Sequence, residues 1–251
     1  MPIILGAKVD SISRADALAR ISAMIQDRGQ HIITTPNPEI IVAVQHDPEF
    51  RAILNRAALA LPDGIGLMLA ARFLGMPLKE RIAGSDFVWD LARLAAKNGC
   101  TVYLLGARPG ITHAAAEKLT SQFPSLKIAG AESGPPRDRH PEPREGSHTD
   151  VCEKIRAAAP DILLVALGHG KQEKWIAAHL HELPSVKVAM GVGGAMDFIA
   201  GRVRRAPQVL RLLGLEWLWR LFLQPWRLPR IYRAVMKFSL LVLQAKYAKT
   251  H

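Results

Sequence analysis

The first 200 residues alternate between short apolar runs rich in β-branched side chains and longer stretches in which apolar residues recur at helical spacing. The short runs predict strands at 31–35, 58–61, 101–105, 126–129, 161–166 and 186–190. The stretches between them predict amphipathic helices. Strands that alternate with helices predict an α/β fold of the Rossmann-like class, in which a mostly parallel sheet carries helices on both faces.

Capping and turn residues indicate where these elements begin and end. Ser13 and Asp16 predict the start of a helix that continues to about residue 28. Pro38 suits the first turn of another helix, where the carboxylate of Glu39 complements the helix dipole. Residues 130–149 are rich in proline, glycine and charge, which predicts a long exposed loop.

Five of the predicted strands end beside glycine or a short polar residue. These positions are Asn37, Asp63, Gly64, Gly106, Gly168, Gly191, Gly193 and Gly194. In a parallel sheet they collect at the carboxyl edge, where open α/β sheets bind ligands. Glycine lets backbone amides approach phosphate oxygens closely, and helix N-termini at this edge favour anions. The sequence therefore predicts an anion or nucleotide site here, with Gly106 and Gly168 among its backbone contacts.

Asp63 is the sharpest candidate for chemistry, and it has two interpretations. Pro62-Asp63-Gly64 is a common turn sequence, so the aspartate could serve the turn alone. Alternatively, a carboxylate held at the sheet edge could act as a general base. The neighbouring strand end at Asn37 favours the second interpretation, in which Asp63 is catalytic.

Two further segments offer groups for a ligand. Arg81 is either a surface charge or a guanidinium that donates hydrogen bonds to a phosphate or sugar oxygen. Ser85 or Asp86 could simply cap the helix that follows. Gln172 lies in the first turn of a later helix, where it is well placed to hydrogen-bond a ligand. His169, in the loop before that helix, is interpreted as incidental.

The glycine-rich segments do not match a cofactor fingerprint. Gly191-Val-Gly193-Gly194 departs from the dinucleotide motif and Gly64-Ile-Gly66 lacks its third glycine, so both are weak evidence for NAD or a methyl donor. The sequence contains no Asp-x-Asp pair, and no His, Asp and Glu cluster has metal-ligand spacing. We therefore expect neither a metal nor another cofactor.

Charge divides the chain into two regions. Residues 201–251 carry eight arginines and three lysines against the single acid Glu216, a net charge of +10, whereas residues 1–200 are almost neutral. The same tail holds three of the five tryptophans. We expect an α/β domain at 1–200 and a basic, aromatic helical appendage at 201–251. The two cysteines, Cys100 and Cys152, have no motif spacing and indicate a reducing compartment.

The tail predicts a helix over 207–223, a break at Gln224-Pro225 and a further helix from 226. Basic residues beside tryptophan and leucine are typical of a helix at a membrane interface, where each well-placed cation adds about 1 kcal/mol at an anionic leaflet. The apolar run from 238 is too short to span a bilayer, and we see no signal peptide at the N-terminus. The alternatives are an ordinary packing helix and an RNA-binding module, and the sequence has no recognised nucleic-acid motif.

An ordered set of short motifs extends over the whole chain. The motifs are Thr35-Pro-Asn37, Pro62-Asp63-Gly64-x-Gly66, Arg81-x-x-Gly84-x-Asp86, Leu105-Gly106, Leu167-Gly168-x-x-Lys171-Gln172-Glu173-x-Trp175, Gly191-Val-Gly-Gly194-x-x-Asp197-Phe198-x-x-Gly201, Arg205-Ala-Pro207 and Gly214-Leu-Glu216-Trp217-x-x-Arg220. In this order they resemble the WecG/TagA/CpsF family of bacterial glycosyltransferases, family 26. Members commonly have proline where this chain has Gly170, which predicts a more flexible loop here.

The resemblance implies an inverting, metal-independent transfer of a sugar from a UDP-sugar to a sugar linked to undecaprenyl diphosphate. The sugar would be of the N-acetylmannosamine type or a related uronic acid or hexose, in the synthesis of teichoic acid, enterobacterial common antigen or exopolysaccharide. The enzyme would be cytoplasmic and peripherally bound to the inner face of the cell membrane, without nucleic acid, and a homo-oligomer is left open. The competing hypotheses are a Rossmann-type oxidoreductase or methyltransferase and an RNA-binding module.

The resemblance also implies roles for individual residues. Asp63 resembles the catalytic base, and Asp197 with Gly191, Gly193 and Gly194 resembles the uridine-nucleotide pocket. The residues that resemble substrate contacts are Thr35, Asn37, Arg81 and Gln172. Without a metal, the departing diphosphate needs positive charge, and the body is nearly neutral. We therefore expect tail arginines to face the diphosphate or the lipid, namely Arg220, Arg227, Arg230 and Arg233.

Overall fold

The computed structural model describes residues 2–134, 146–207, 209–210 and 215–248, with side chains except at 146–149, Arg220, Arg227, Arg230 and Arg233. Two short strands, β1 (Ile3–Ile4) and β2 (Ala7–Lys8), form an antiparallel hairpin. The main sheet of the described chain is built from β3 (His31–Thr34), β4 (Leu59–Ala60), β5 (Thr101–Gly106), β6 (Lys127–Glu132), β7 (Ile162–Ala166) and β8 (Val188–Gly191).

The order of the strands across the main sheet is β4-β3-β8-β7-β5-β6, and every neighbouring pair is parallel. β3 and β4 lie at one side of the sheet and β5 and β6 at the other, while β7 and β8 fill the centre. The winding therefore reverses direction within the sheet, and ligand crevices form where this happens. The predicted Rossmann-like α/β fold is confirmed.

Helices cover both faces of the sheet and continue into the tail. In chain order they are α1 (Arg14–Gln26), α2 (Pro38–Ala43), α3 (Pro48–Arg56), α4 (Ile65–Phe73), α5 (Gly84–Asn98), α6 (Ile111–Gln122), α7 (Gly146–Ala158), α8 (Lys171–His179), α9 (Ala195–Ile199), α10 (Glu216–Leu223), α11 (Leu228–Tyr232) and α12 (Phe238–Tyr247). Short 3₁₀ turns span Leu180–Glu182 and Pro225–Arg227, and a π-helical turn (Arg233–Lys237) joins α11 to α12. The predicted cap of α1 is confirmed, since the Ser13 hydroxyl accepts the Asp16 N–H at 3.1 Å.

The strands bury apolar side chains on both faces of the sheet. On β5, Val102 and Leu104 belong to the cluster that α1, α5, α6 and α9 cover, while Tyr103 and Leu105 belong to the cluster under α7 and α8. This alternation follows from the two-residue period of a strand. Because both faces are covered, the carboxyl edge of the sheet is where the loops can form a site.

The long loop predicted at 130–149 is wrong at both of its ends. β6 continues through Gly130 to Glu132 as a partner of β5, and α7 already begins at Gly146. Gly130 belongs to the strand because the ring of Tyr103 covers it, and a Cβ there would lie 2.3 Å from that ring. Glycine at this position permits a close contact rather than ending the strand. Residues 135–145, the middle of the predicted loop, lie outside the described residues.

The end of the tail packs onto the body. Phe238 and Val242 of α12 are buried in one apolar cluster with Ile4 of the hairpin, Ile41 of α2 and Leu67 of α4. The π-helical turn that precedes α12 also contacts α2, so more than one segment of the tail lies against the body. The boundary at residue 200 stays a prediction.

The tail helices agree in part with the sequence. The break at Gln224 is confirmed, because α10 ends at Leu223. Of the helix predicted at 207–223, residues 209–210 and 216–223 are helical, while 208 and 211–214 lie outside the described residues. Among the residues described, no helix is both long and apolar enough to cross a membrane.

Candidate active site

A cleft of about 1230 Å³ opens at the carboxyl edge of the sheet. The segments that follow β3, β4, β5, β7 and β8 form its polar part, and α4 and the tail complete it. Most of the predicted site residues line this cleft, namely Thr35, Asn37, Asp63, Arg81, Gly168, Gln172, Gly191, Gly193, Gly194 and Asp197. Residues that lie far apart in the sequence are thus brought to one place by the parallel sheet.

Asp63 lies where the loop after β4 meets the first turn of α5. Its Oδ2 accepts a hydrogen bond from the Gly84 N–H at 3.3 Å, and its own N–H donates to the Pro36 carbonyl at 2.9 Å. A Cβ on Gly84 would lie 3.3 Å from Thr35 Cγ2 and 3.6 Å from Asp63 Oδ2, which leaves little space for a larger residue. The carboxylate is therefore held at the N-terminal end of a helix, where the dipole favours negative charge.

Asn37, Thr35 and Arg81 lie close to Asp63 in the fold. Asn37 is the N-cap of α2, because its Oδ1 accepts the Ile40 N–H at 3.0 Å. Capping therefore accounts for an asparagine here, and its contact with a substrate stays a prediction. Thr35 is buried beside Gly84, and Arg81 brings a positive charge to the cleft three residues before that glycine.

Gln172 and Glu173 form a buried pair at the start of α8. Gln172 Nε2 donates to Glu173 Oε1 at 2.8 Å, and Gln172 Oε1 accepts the Gly193 N–H at 3.0 Å. The other carboxylate oxygen of Glu173 accepts the Gly170 N–H at 2.7 Å. Burial raises the pKa of Glu173, against the lowering effect of these hydrogen bonds. Glu173 has no predicted role in the sequence interpretation, which names it only within the motif around Gln172.

The strand-end glycines differ in what they do. Gly168, Gly193 and Gly194 line the cleft through their backbone. Gly191 also lines it, and a Cβ there would lie 2.5 Å from the Gln172 amide. Gly106 does not line the cleft: at φ +105° its Cα faces the Ala166 backbone, which a Cβ would approach to 2.7 Å. Strand packing accounts for Gly106, and its role in binding a nucleotide stays a prediction.

An ion pair joins α9 to the segment after β5. Arg108 Nη2 lies 3.1 Å from Asp197 Oδ1, and both residues line the cleft. Arg108 is absent from the predicted site. The signal that could have found it is its position two residues beyond the end of β5, at the edge where the other site residues were sought.

His169 and Glu39 also line the cleft, with His169 Nε2 3.7 Å from Glu39 Oε1. The sequence interpretation treats His169 as incidental. The structure places it in the cleft wall because the loop after β7 turns toward the first turn of α2.

Arg205 connects the tail to the edge of the cleft. Its guanidinium bonds to Asp86 and, at 3.0 Å, to the Ser85 hydroxyl at the start of α5. Its Nη2 also lies 3.6 Å from Glu216 Oε1 of α10, and its Cζ lies 5.4 Å from the Phe198 ring centroid. Since Ser85, Phe198 and Glu216 line the cleft, this arginine holds α5, α9 and α10 around it.

The tail contributes the apolar part of the cleft. Trp217, Trp226, Val235 and Val242 line it together with Phe73 of α4. The four arginines predicted to face the diphosphate or the lipid have side chains outside the described residues, so that role stays a prediction. They are Arg220, Arg227, Arg230 and Arg233.

A cluster of possible metal ligands lies outside the cleft. Cys152, His179 and Glu182 bring a thiol, an imidazole and a carboxylate within 4.8 Å of one another, but none of them lines the cleft. His179 Nδ1 lies 3.2 Å from Glu182 Oε1, and Arg156 also lies beside this glutamate. Burial raises the pKa of the Cys152 thiol, which disfavours the thiolate that a metal would need.

Comparison with known proteins shows that this α/β protein is a glycosyltransferase. A family model described as "Glycosyl transferase WecG/TagA/CpsF family" matches residues 2–251, and the chain belongs to that family. The N-acetylglucosaminyldiphosphoundecaprenol N-acetyl-beta-D-mannosaminyltransferase of Bacillus subtilis (strain 168) is 37% identical over 218 residues, which are 87% of this chain and 81% of that protein. A protein of the same name from Staphylococcus aureus (strain MRSA252) is 29% identical over 245 residues, 97% of this chain and 92% of that protein.

These findings confirm the resemblance inferred from the ordered motifs, and with it the interpretation as an enzyme. They favour the glycosyltransferase over the oxidoreductase, the methyltransferase and the RNA-binding module. The roles of the individual site residues stay predictions.

Proposed function

We propose that the protein transfers a sugar of the N-acetylmannosamine type from a UDP-sugar to N-acetylglucosamine linked to a polyprenyl diphosphate. The names of its relatives support both the acceptor and the transferred sugar. The observation that carries the proposal is the joint placement of Asp63, the Gly84 amide and the glycine loop after β8 in one cleft of a chain of this family.

In the proposed reaction, the acceptor hydroxyl attacks the anomeric carbon of the donor as a single displacement. The new bond forms between that oxygen and the anomeric carbon, the bond from the anomeric carbon to the diphosphate breaks, and UDP leaves. Asp63 takes the hydroxyl proton, a contribution of typically about 10²- to 10⁴-fold in rate. Because attack and departure occur on opposite faces, the configuration at the anomeric carbon inverts.

The departing diphosphate needs compensation for its charge, and we propose that the protein supplies it without a metal. Arg81 and Arg108 are cations that line the cleft, and the backbone amides of Gly193 and Gly194 lie between them in the sheet edge. Preorganised amides and cations of this kind stabilise charge that develops in the transition state. We propose Arg220, Arg227, Arg230 and Arg233 as further cations for the diphosphate or the lipid, on the strength of the tail's net charge of +10.

We further propose that the tail binds the protein to the cytoplasmic face of the membrane, where a lipid-linked acceptor is found. Phe222 and Trp226 are 81% and 73% exposed, and Leu228, Tyr232 and Met236 are also exposed. Exposed aromatic side chains in a segment of net charge +10 suit an interface with anionic lipid.

The experiment that tests the function is a UDP-release assay with several UDP-sugars, with and without N-acetylglucosamine linked to a polyprenyl diphosphate. We expect release that requires the acceptor, is fastest with UDP-N-acetylmannosamine and persists in a chelator. UDP release that does not depend on the acceptor would contradict the proposed acceptor substrate. Loss of activity in the presence of the chelator would contradict metal independence. An inverted anomeric configuration in the product, read by NMR, is expected from a single displacement.

A further inference from the structure

Three hydrogen bonds form an unbroken chain between two loops of the cleft. The Gly170 N–H donates to Glu173 Oε2, Gln172 Nε2 donates to Glu173 Oε1, and the Gly193 N–H donates to Gln172 Oε1, at 2.7, 2.8 and 3.0 Å. The first bond caps α8 locally, whereas the last one joins residues 21 positions apart. The chain therefore connects the loop after β7 to the loop after β8.

The two side chains are closely packed. Gln172 is 3% exposed and Glu173 is 1% exposed. The Gln172 amide lies directly over Gly191, where a Cβ would be 2.5 Å from Nε2. Glycine at the end of β8 is thus required by the side chain of Gln172. Buried polar groups that lose a partner are costly, so this pair is strongly specified.

One orientation of the Gln172 amide satisfies all three hydrogen bonds. Two N–H groups face Glu173, and each carboxyl oxygen accepts one of them. The amide of Gln172 must then turn its NH₂ group toward Glu173, and its oxygen is left to face Gly193. Both carboxyl oxygens of Glu173 act as acceptors in this pattern, and the one that faces Gln172 thereby fixes which way the Gln172 amide is oriented.

We propose that Glu173 is a positioning residue for donor binding: through the orientation of the Gln172 amide, it holds the Gly193 N–H and its loop in the form that receives the nucleotide. This inference rests on the proposed function, because it takes the loop after β8 as part of the donor site. It changes the role of Gln172 from the predicted substrate contact to a side chain that joins two loops.

The first test is Glu173→Gln, with UDP as the probe ligand and titration calorimetry as the measurement. A glutamine at 173 has one oxygen for two incoming N–H groups, so every arrangement leaves two donors facing each other. We expect UDP to bind about tenfold more weakly. In the transfer assay, the donor KM should rise by a similar factor while kcat changes little.

The second test exchanges the two side chains in the double variant Gln172→Glu/Glu173→Gln. The new carboxylate at 172 can accept the Gly193 N–H and the amide NH₂ of residue 173, whose oxygen accepts the Gly170 N–H. Every donor again meets an acceptor and the charge is unchanged. We expect UDP affinity to return to within about threefold of the unsubstituted protein. If the melting temperature recovers but UDP affinity does not, Gln172 contacts the ligand itself and the proposal is overturned.

The matched control is Asp161→Asn at the opposite end of β7. Asp161 Oδ2 also accepts two donors, the Thr101 N–H at 2.8 Å and its hydroxyl at 2.9 Å, but Asp161 does not line the cleft. This variant should lose thermal stability and keep its UDP affinity. Equal weakening of UDP binding in Asp161→Asn and Glu173→Gln would mean that general destabilisation is the cause.

The outcomes separate this inference from the proposed function. If the unsubstituted protein does not bind UDP, the proposed function fails and the inference falls with it. If it binds UDP and Glu173→Gln binds equally well, the inference alone fails. Should Glu173→Gln not fold, the exchanged variant and amide hydrogen exchange of the unsubstituted protein decide the matter. The Gly193 amide should then be protected, and free exchange at that amide would contradict the proposal.

Discussion

The carboxyl edge of the sheet and the tail line the same cleft, but their side chains are held in different ways. At the edge, Gln172 and Glu173 are almost fully buried and both polar atoms of each side chain have a described partner. In the tail, Phe222 and Trp226 are largely exposed, and α12 is the part that enters the body's apolar cluster. The edge thus has fixed geometry suited to bond chemistry, while the tail offers surface suited to a partner.

The largest expected effect concerns the edge. Asp63→Asn keeps the shape of the side chain but removes the proposed base, so kcat should fall by about 10²- to 10⁴-fold while UDP affinity stays nearly unchanged. Steady-state UDP release and calorimetry measure the two quantities. The control is Asp150→Asn, which alters an exposed carboxylate of α7 and should keep full turnover. Unchanged turnover in Asp63→Asn would remove it as the base.

The next effect concerns the tail. Replacing both Phe222 and Leu228, exposed tail residues that do not line the cleft, by serine should weaken binding to vesicles that contain anionic phosphatidylglycerol by about 100-fold or more, since burial of each side chain in the interface would contribute roughly 1.5–3 kcal/mol. Sedimentation with the vesicles measures this, and UDP affinity should not change. Ile3→Ser, which alters an exposed apolar residue of the body hairpin, is the control. Equal loss in both proteins would contradict a membrane role specific to the tail.

A smaller effect tests whether Gly106 serves the sheet. Gly106→Ala places a Cβ 2.7 Å from the Ala166 backbone at a positive φ, so the free energy of unfolding should fall by about 2–3 kcal/mol. Gly99→Ala has a positive φ and open space, and it should lose about 1 kcal/mol from backbone strain alone. Denaturant unfolding measures both variants. Equal losses would show that the close contact at Gly106 is relieved easily.

The smallest expected effect concerns a pH-dependent contact between α3 and α8. Hydrogen bonds from the Phe50 N–H and from Lys174 lower the pKa of Asp47, so its stabilising contribution is present above the ordinary carboxyl pKa and is lost as the pH falls through the lowered one. Asp47→Ala should therefore reduce the free energy of unfolding by about 1 kcal/mol at pH 7. The difference from the unsubstituted protein should shrink in acid. A difference that stays constant down to pH 2 would contradict this assignment.

Periodicity and strand ends were sufficient to predict the fold and the location of the cleft. A parallel sheet covered on both faces leaves its carboxyl edge for ligands, so Asn37, Asp63 and Gly193 could be placed together before any contact was known. Local chemistry also predicted the caps, as at Ser13. These features depend on neighbours in the sequence or on a general rule of the fold.

Features that depend on distant side chains could not be predicted in this way. Gly130 lies within a strand because of Tyr103, 27 positions earlier, and the sequence alone suggested a loop. Arg108 pairs across the cleft with Asp197 of α9, and Glu173 is buried beside Gln172, which accepts the Gly193 N–H of another loop. Each of these assignments requires the tertiary partner, which periodicity does not identify.

The burial of Phe238 and Val242 in the body's apolar cluster has a thermodynamic consequence. Because α12 and the body fold around one shared core, any surface that binds the folded tail also stabilises the body by mass action, with a gain that grows with the concentration of that surface. Vesicles should therefore raise the melting temperature of the α/β domain itself. Conversely, a substitution that creates a cavity at Leu67 of α4 should weaken vesicle binding, although Leu67 is not part of the surface that binds the vesicles.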